Sequence, residues 1–276
     1  MKELLHHYTS IESLALILET RKLRFTRLDL LDDQIESKYY GKYDLSNYIY
    51  VSCWTGNLDE SIPQWQLYTP KMRGVRITFA SRMFPMKNHF PSMPHDPRFD
   101  FLFTLDELVA EDYCIMPTYS RGYDNDFFVK DVEYLETENE ILEKLGQVTK
   151  ENSNGGIQID SIRLFAKYKT KEWSFQNETR FVLCILPIHP GVVLEGKSPE
   201  ERLEDALSAC SSVIINQIPP KLTHFDMKLA DSIVNNIQVT LGPKCSRAEE
   251  IIVKSLLKTY TSRGSSRISR LHGKIK

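Results

Sequence analysis

Apolar and polar positions alternate with two periods along this chain, and the changes of period mark its elements. Leu4 to Tyr8 reads as a short strand. Thr9 stands three residues before Glu12, the spacing of a capping box, and predicts a helix start. Ile11, Leu14, Ala15 and Leu18 fall at i, i+3, i+4 and i+7, which is one buried helical face. Lys22 to Arg27 alternates polar and apolar, as a half-buried strand does. Tyr48 to Trp54 is rich in β-formers and Gly74 to Phe79 alternates cleanly, so both read as strands. Between them Gly56 to Pro63 is turn-like, and Gln64 to Tyr68 fits one helical turn. Pro85 to Pro97 holds His89, His95 and little periodicity, and is expected to be a long loop.

Further on, Asp131 to Tyr134 suggests a strand and Thr137 to Leu145 a polar-faced helix. Asn152 to Gly156 is a strong breaker, and a helix is expected from about Asp160 to Tyr168. A strand then opens at Glu178 and runs through the apolar stretch Phe181 to Leu186. Beyond Pro190 the pattern is αβα-like, with a second capping-box spacing at Ser246 and Glu249 ahead of Ile251, Ile252, Leu256 and Leu257. No internal repeat is visible. The expectation is one α+β domain over residues 1–276, with mixed sheets and peripheral helices.

A length of 276 residues with 41% apolar and 26% charged positions suits an ordinary globular protein with a full core. The formal net charge of −2 says little about partners, but its distribution is uneven. After Glu250 come Lys254, Lys258, Arg263, Arg267, Arg270, Lys274 and Lys276, with no acid. This basic segment, about 251–276, would suit a phosphate backbone; the plainer reading is a solvated, frayed end. Cys53, Cys114, Cys184, Cys210 and Cys245 have no paired spacing, which argues against a zinc site or a disulfide scaffold. His89, His95, His189, His224 and His272 have no metal-ligand spacing either, so no metal is expected. Met1-Lys2-Glu3 leads into only Leu4-Leu5, and no apolar run reaches membrane-spanning length. The expectation is a cytoplasmic chain with no membrane contact.

Two short motifs far apart carry the candidate chemistry. His7-Tyr8-Thr9 ends the first strand just before a helix N-terminus, a place that favours anionic ligand groups. Glu178 and Arg180 head the late apolar strand and share a face. Together they suggest a site where His-Tyr and a distant carboxylate meet around one ligand.

The opening His-Tyr-Thr-Ser-Ile-Glu-Ser-Leu, with Asp32-Asp33-Gln-Ile-Glu36, Val51-Ser-Cys-Trp54, Trp65, Tyr68, Gly74 to Phe79, Lys169, Trp173, Glu178, Arg180 and Val239-Thr-Leu-Gly-Pro243, resembles a large uncharacterised bacterial family with an HYTS-type start. The same opening is similar to that of DNA-targeting ADP-ribosyltransferase toxins and of tRNA 2′-phosphotransferases. The resemblance implies an ADP-ribosyltransferase-like fold that binds NAD without a Rossmann glycine fingerprint. It gives His7 a ribose hydroxyl of NAD, Tyr50 or Ser52 the flank of the nicotinamide, and Glu178 the nicotinamide ribose. Tyr8, Thr9, Trp54 and Tyr68 would surround the ligand, and Arg24 or Arg27 would bind pyrophosphate bidentately. Gln176 stands where such transferases often carry a second acid.

Breaking the nicotinamide–ribose bond passes through an oxocarbenium-like cation, so a carboxylate beside that sugar is sensible chemistry. The implied activity is an ADP-ribosyltransferase toxin or phage-defence effector acting on a macromolecule, with RNA or DNA favoured over protein and an antitoxin as a possible partner. A NAD glycohydrolase and a non-catalytic nucleotide- or nucleic-acid-binding module are the alternatives. Each residue also has a bland reading. His7 fits a satisfied half-buried histidine and Glu178–Arg180 a surface ion pair of little energetic value. Trp65, Trp173 and Phe175 read as core anchors, Lys169 as a partner of Glu178 or a solvated helix end, and Asp32, Asp33 and Glu36 as an acidic cluster that binds a cation or, the favoured reading, caps a turn.

Overall fold

In the computed structural model, described over residues 2–40, 43–87, 101–120, 123, 126–145, 149–151, 157–159 and 162–275, the alternation at the N-terminus becomes strand β1 (Leu4–Thr9), helix α1 (Ile11–Thr20) and strand β2 (Lys22–Arg27). The helix is capped one residue later than the spacing predicts. Thr9 is held in the ladder opposite Val75, so Ser10 takes the cap and its hydroxyl accepts from the Ser13 N–H at 3.1 Å. Leu14 and Leu18 are fully buried, each stabilising the fold by roughly 1.5–3 kcal/mol relative to exposure.

The chain continues through β3 (Ile49–Thr55), α2 (Ile62–Tyr68), β4 (Val75–Ala80), α3 (Leu105–Leu108), β5 (Tyr113–Ile115), β6 (Val129–Asp131), β7 (Glu133–Leu135), α4 (Glu138–Leu145), β8 (Thr149–Glu151), β9 (Ile157–Ile159), β10 (Tyr168–Thr170) and β11 (Glu178–Pro187). It ends with α5 (Pro199–Ser208), α6 (Cys210–Ile215), β12 (His224–Lys228), α7 (Asp231–Asn235), β13 (Gln238–Leu241), α8 (Arg247–Tyr260) and β14 (Ser265–Ile268). The fold is α+β. Among the described residues ten strands join one mixed sheet, antiparallel except where β14 runs parallel to β13. No described helix is long and apolar enough to cross a membrane.

Three expectations are corrected. The strand expected at Asp131–Tyr134 divides at Val132, because β6 pairs with β11 while β7 pairs with β10 in a separate two-stranded sheet. In place of the helix expected over Asp160–Tyr168 there is one 3-10 turn, Ile162–Leu164, followed by β10, with Ala166 between them at φ +55°. The basic end is not frayed through Ile268: β14 pairs with β13, and Ser269 and the Arg270 N–H both bond the Glu60 carboxylate. The loop positions His89 and His95, the breaker Asn152–Gly156 and Asp160 lie outside the described residues.

Strand β3 creates the feature that matters for function. One of its edges carries β11 along its whole length, from Glu178 opposite Thr55 to Cys184 opposite Ile49. The other edge is shared, with β2 pairing at Tyr50 and Val51 and β1 pairing at Thr55. Ser52 to Trp54 therefore face a fork where β1 and β2 part. Gly74 keeps β1 close to the start of β4, since a Cβ there would lie 2.2 Å from the Thr9 carbonyl oxygen.

Candidate functional site

The ladder gap at Cys53 is closed by a side chain. His7 Nδ1 lies 2.8 Å from the Cys53 carbonyl oxygen. A carbonyl only accepts, so the proton sits on Nδ1 and Nε2 presents a lone pair. Burial pushes the His7 imidazole below its ordinary value, and the bond to Cys53 pulls partly the other way, which keeps the ring neutral near pH 7.

His7 is half-buried in the wall of a cavity of about 220 Å³ that opens to solvent. Strand β1 contributes His6, His7 and Tyr8, and β3 contributes Cys53, Trp54 and Thr55. Leu31, Asp32 and Asp33 come from the segment after β2, and Gln64 and Tyr68 from α2. The far wall holds Lys169, Trp173, Gln176 and Glu178. That volume lies below the roughly 300–1,000 Å³ of sites that enclose a whole small-molecule ligand, so the cavity encloses one part of a larger ligand such as a dinucleotide. Aromatic rings dominate it: the Trp54 ring lies 5.2 Å from that of His7, and the Lys169 ammonium stands 5.1 Å over Trp173.

Glu178 reaches this wall because the register puts it opposite Thr55 at the open end of β3. Its carboxylate accepts from Arg180 Nε at 2.8 Å and from Lys169 Nζ at 3.0 Å. Arg180, fully buried, also pairs with both oxygens of Glu36, Nη2 to Oε2 at 3.0 Å, and donates to the Ala166 carbonyl. The four side chains form a buried cluster with no net formal charge. Burial alone would raise the Glu178 carboxyl, but the charges of Arg180 and Lys169 and the Arg180 hydrogen bond outweigh it and hold it at about 2. Burial and the Glu178 charge push the neighbouring Cys53 thiol well up, so it stays protonated.

A hydrogen-bond chain ties α2 to this cluster. Lys169 Nζ donates to Gln176 Oε1 at 2.9 Å, Gln176 Nε2 donates to the Tyr68 hydroxyl, and Gln64 Nε2 donates to the Gln176 carbonyl at 3.0 Å. Tyr134 completes the support, its hydroxyl accepting from the Glu178 N–H at 2.9 Å.

The cavity brings together His7, Tyr8, Tyr68 and Glu178. It does not include Thr9, Arg27, Tyr50 or Ser52. Arg27 is engaged by Asp29 at 2.6 Å, and Arg24 by Asp226 at 2.9 Å, so both guanidiniums already have a carboxylate partner outside the cavity lining. The Tyr50 hydroxyl donates to the Leu222 carbonyl at 2.8 Å, and Ser52 Oγ accepts from Trp54 Nε1 at 3.1 Å. Cys53, Trp54 and Thr55 take their place. Tyr8 acts mainly as support, its ring edge-on to Trp65 at 4.8 Å and its hydroxyl accepting from the Ser61 N–H.

Three bland readings also change. Glu178 and Arg180 are buried, so theirs is no surface pair. Trp173 lines the cavity, whereas Trp65 is a core anchor. Glu36 leaves the acidic turn to meet Arg180, while Asp33 does make a turn by accepting from the Ile35 N–H at 3.1 Å. Gln64 had no sequence signal of its own, and Glu36 stood out only within the Asp32–Asp33–Glu36 motif, without its partner Arg180. Among the described residues, no three His, Cys, Asp or Glu side chains cluster as a metal-ligand set.

Residues 64–181 match the model of a family of proteins of unknown function, DUF2971. That stretch carries Gln64, Tyr68, Lys169, Trp173, Gln176, Glu178 and Arg180, and leaves His7, Cys53 and Glu36 outside it. No curated protein and no solved structure matches the chain.

Proposed function

We propose that this protein is an ADP-ribosyltransferase-like enzyme that cleaves NAD at the nicotinamide–ribose bond and passes ADP-ribose to a macromolecule, with RNA or DNA favoured over protein. The observation that carries this reading is the pairing, across one cavity, of an ionised Glu178 with a neutral His7 whose Nε2 is an open acceptor.

His7 Nε2 accepts a ribose hydroxyl of NAD. Glu178, fixed by Lys169 and Arg180, takes a hydrogen bond from the hydroxyl next to the breaking bond and stabilises the positive charge that grows on the sugar. Its geometry is set before substrate arrives, which is where electrostatic stabilisation gains most. A carboxyl held at about 2 is a poor proton acceptor near pH 7, so Glu178 acts as a fixed negative charge and the base for the acceptor group lies elsewhere. Trp54, Tyr68 and Trp173 flank the departing ring. The basic residues from Lys254 onward supply charge suited to a nucleic-acid acceptor. A role as a toxin or phage-defence effector, held in check by an antitoxin, follows from the resemblance of the opening motif alone.

A second reading is a nucleotide-binding module without catalysis. It draws on the same carboxylate, since both Glu178 oxygens already accept hydrogen bonds from Arg180 and Lys169.

The test incubates purified protein and a Glu178→Gln variant with cell extract and NAD labelled on the adenylate phosphate, then divides the product between nuclease and protease. Label that needs Glu178 and disappears with nuclease supports transfer to nucleic acid, and loss with protease makes the acceptor a protein. Free ADP-ribose without labelled macromolecule indicates a glycohydrolase. NAD left intact leaves the binding module.

A further inference from the structure

We propose that a groove along the free edge of β12 is a second ligand site, which takes a small molecule joining an aromatic ring to one acid group. The site shares no lining residue with the cavity at His7 and stands independently of the NAD chemistry.

The first observation is the groove itself. Its volume is about 550 Å³, within the roughly 300–1,000 Å³ of small-molecule sites. Among the described residues β12 pairs only with β2, so the groove follows an open strand edge. Leu102, Phe103 and Met227 are buried in its floor, and the rings of Tyr113 and Phe225 are half-buried in its wall. Phe225 meets Phe103 at 6.1 Å and Tyr113 at 5.7 Å, each edge to face. A flat ring entering the groove would extend the same packing.

The second observation is charge. Lys22 and Lys228 stand directly opposite each other in the β2–β12 ladder, and both line the groove. Like charges in that arrangement are destabilising, and an anion between them relieves the repulsion. Among the described residues no carboxylate pairs with either lysine. The two acids of the lining are engaged elsewhere, Asp226 by Arg24 at 2.9 Å and Glu107 by Lys87. The Arg24 hydrogen bond, helped by the charges of Arg24, His224 and Lys22, holds the Asp226 carboxyl below its ordinary value. Beyond the lining, Asp112 pairs with Lys221, and the charge of Glu111 acts on the same lysine. Lys22, Lys87, Lys228 and the adjoining Arg24 thus face two carboxylates, which leaves two positive charges for a ligand. One ligand acid group between Lys22 and Lys228, with its ring on Phe225 and Tyr113, satisfies both observations.

NMR titrations of the full chain, followed at the methyl group of Met227 and assigned with Met227→Leu, locate binding and separate its two parts. The probes are cinnamate (ring and charge), cinnamamide (ring alone) and acetate (charge alone). Cinnamate is expected to shift the Met227 methyl and to bind about tenfold more tightly than cinnamamide, while acetate leaves the methyl unmoved. Lys22 and Lys228 are both exposed, and Lys22→Gln with Lys228→Gln is expected to bring cinnamate down to the affinity of cinnamamide. Equal affinities for cinnamate and cinnamamide in the unaltered protein, or no shift at Met227, overturn the proposal whether or not the variant folds. A preference for cinnamate that survives in the double variant overturns it as well. None of these titrations involves NAD, so their failure leaves the transferase reading intact, and an absence of NAD cleavage leaves this site intact.

Discussion

Arg180 Nε donates to the Glu178 carboxylate at 2.8 Å from two positions along the same strand, and both side chains are buried in the wall that faces His7. The contact is local, but its consequence is not, because the same guanidinium reaches Glu36, 144 residues away in sequence. The carboxylate to which the proposed chemistry is assigned is thereby built into the charge balance of the core.

Glu178→Ala should therefore damage folding as well as activity. It leaves Arg180 and Lys169 with only Glu36 for balance, and breaking a buried pair from one side costs about 3–5 kcal/mol. Glu178→Gln retains the shape and two polar atoms and should cost clearly less in denaturant titrations, while NAD cleavage still falls by at least about a hundredfold. Full activity in a folded Glu178→Gln protein would eliminate the catalytic role.

His7→Asn offers a cleaner separation of the two nitrogens. The Asn amide can still donate toward the Cys53 carbonyl, but it lacks the acceptor at the position of Nε2. Stability is expected to change by less than about 1 kcal/mol, with NAD affinity or turnover reduced about tenfold or more. The checks are a thermal melt and an NAD-consumption assay on the same preparation.

Tyr68→Phe removes the acceptor for Gln176 Nε2 and leaves that buried amide short of a partner. The expected loss is about 1–2 kcal/mol of stability. Hydrogen exchange should quicken in α2 and at Gln176, since the Lys169–Gln176–Tyr68 chain joins the helix to the charge cluster. Unchanged exchange at both places would mean that the chain contributes no rigidity.

Local signals were readable in the sequence and long-range ones were not. The alternation in Lys22–Arg27 and the capping box at Ser246 and Glu249 appear in the structure at those residues, because each rests on neighbours within a few positions. His7 and Glu178 meet because strand pairing places Thr55 opposite Glu178 and beside His6, a register no single segment encodes. Glu36 read as part of a turn since its true partner lies 144 positions on. Trp173 read as core because composition does not distinguish a ring lining a cavity from one filling it. The basic end read as frayed because β14 is held by a non-local parallel pairing to β13. Arg27 and Tyr50 were plausible ligand contacts by residue type, and what removes them is a neighbour each one satisfies first, Asp29 and the Leu222 carbonyl.

The pH response should come from the histidines before the carboxylate. Burial and the charges of Arg76 and Arg267 lower His6 from 6.5 to about 4, so between those values the unfolded chain binds more protons than the folded one. Stability from this group is complete above pH 6.5 and declines as pH falls toward 4, with a slope of at most about 1.4 kcal/mol per pH unit. Glu178, depressed from 4.5 to about 2, adds stability that is complete above 4.5 and is lost only as pH falls toward 2. His6→Asn should make the first window shallower, leaving the share that His7 contributes below pH 6.5, and should leave the second unchanged, as read from melts at closely spaced pH values. Catalysis should follow His7: its Nε2 accepts only while neutral, and burial moves its protonation below 6.5, so the acid limb of the rate profile should lie under that value. A limb above pH 6.5 in the unaltered protein would show that some group other than His7 and Glu178 controls the proposed reaction.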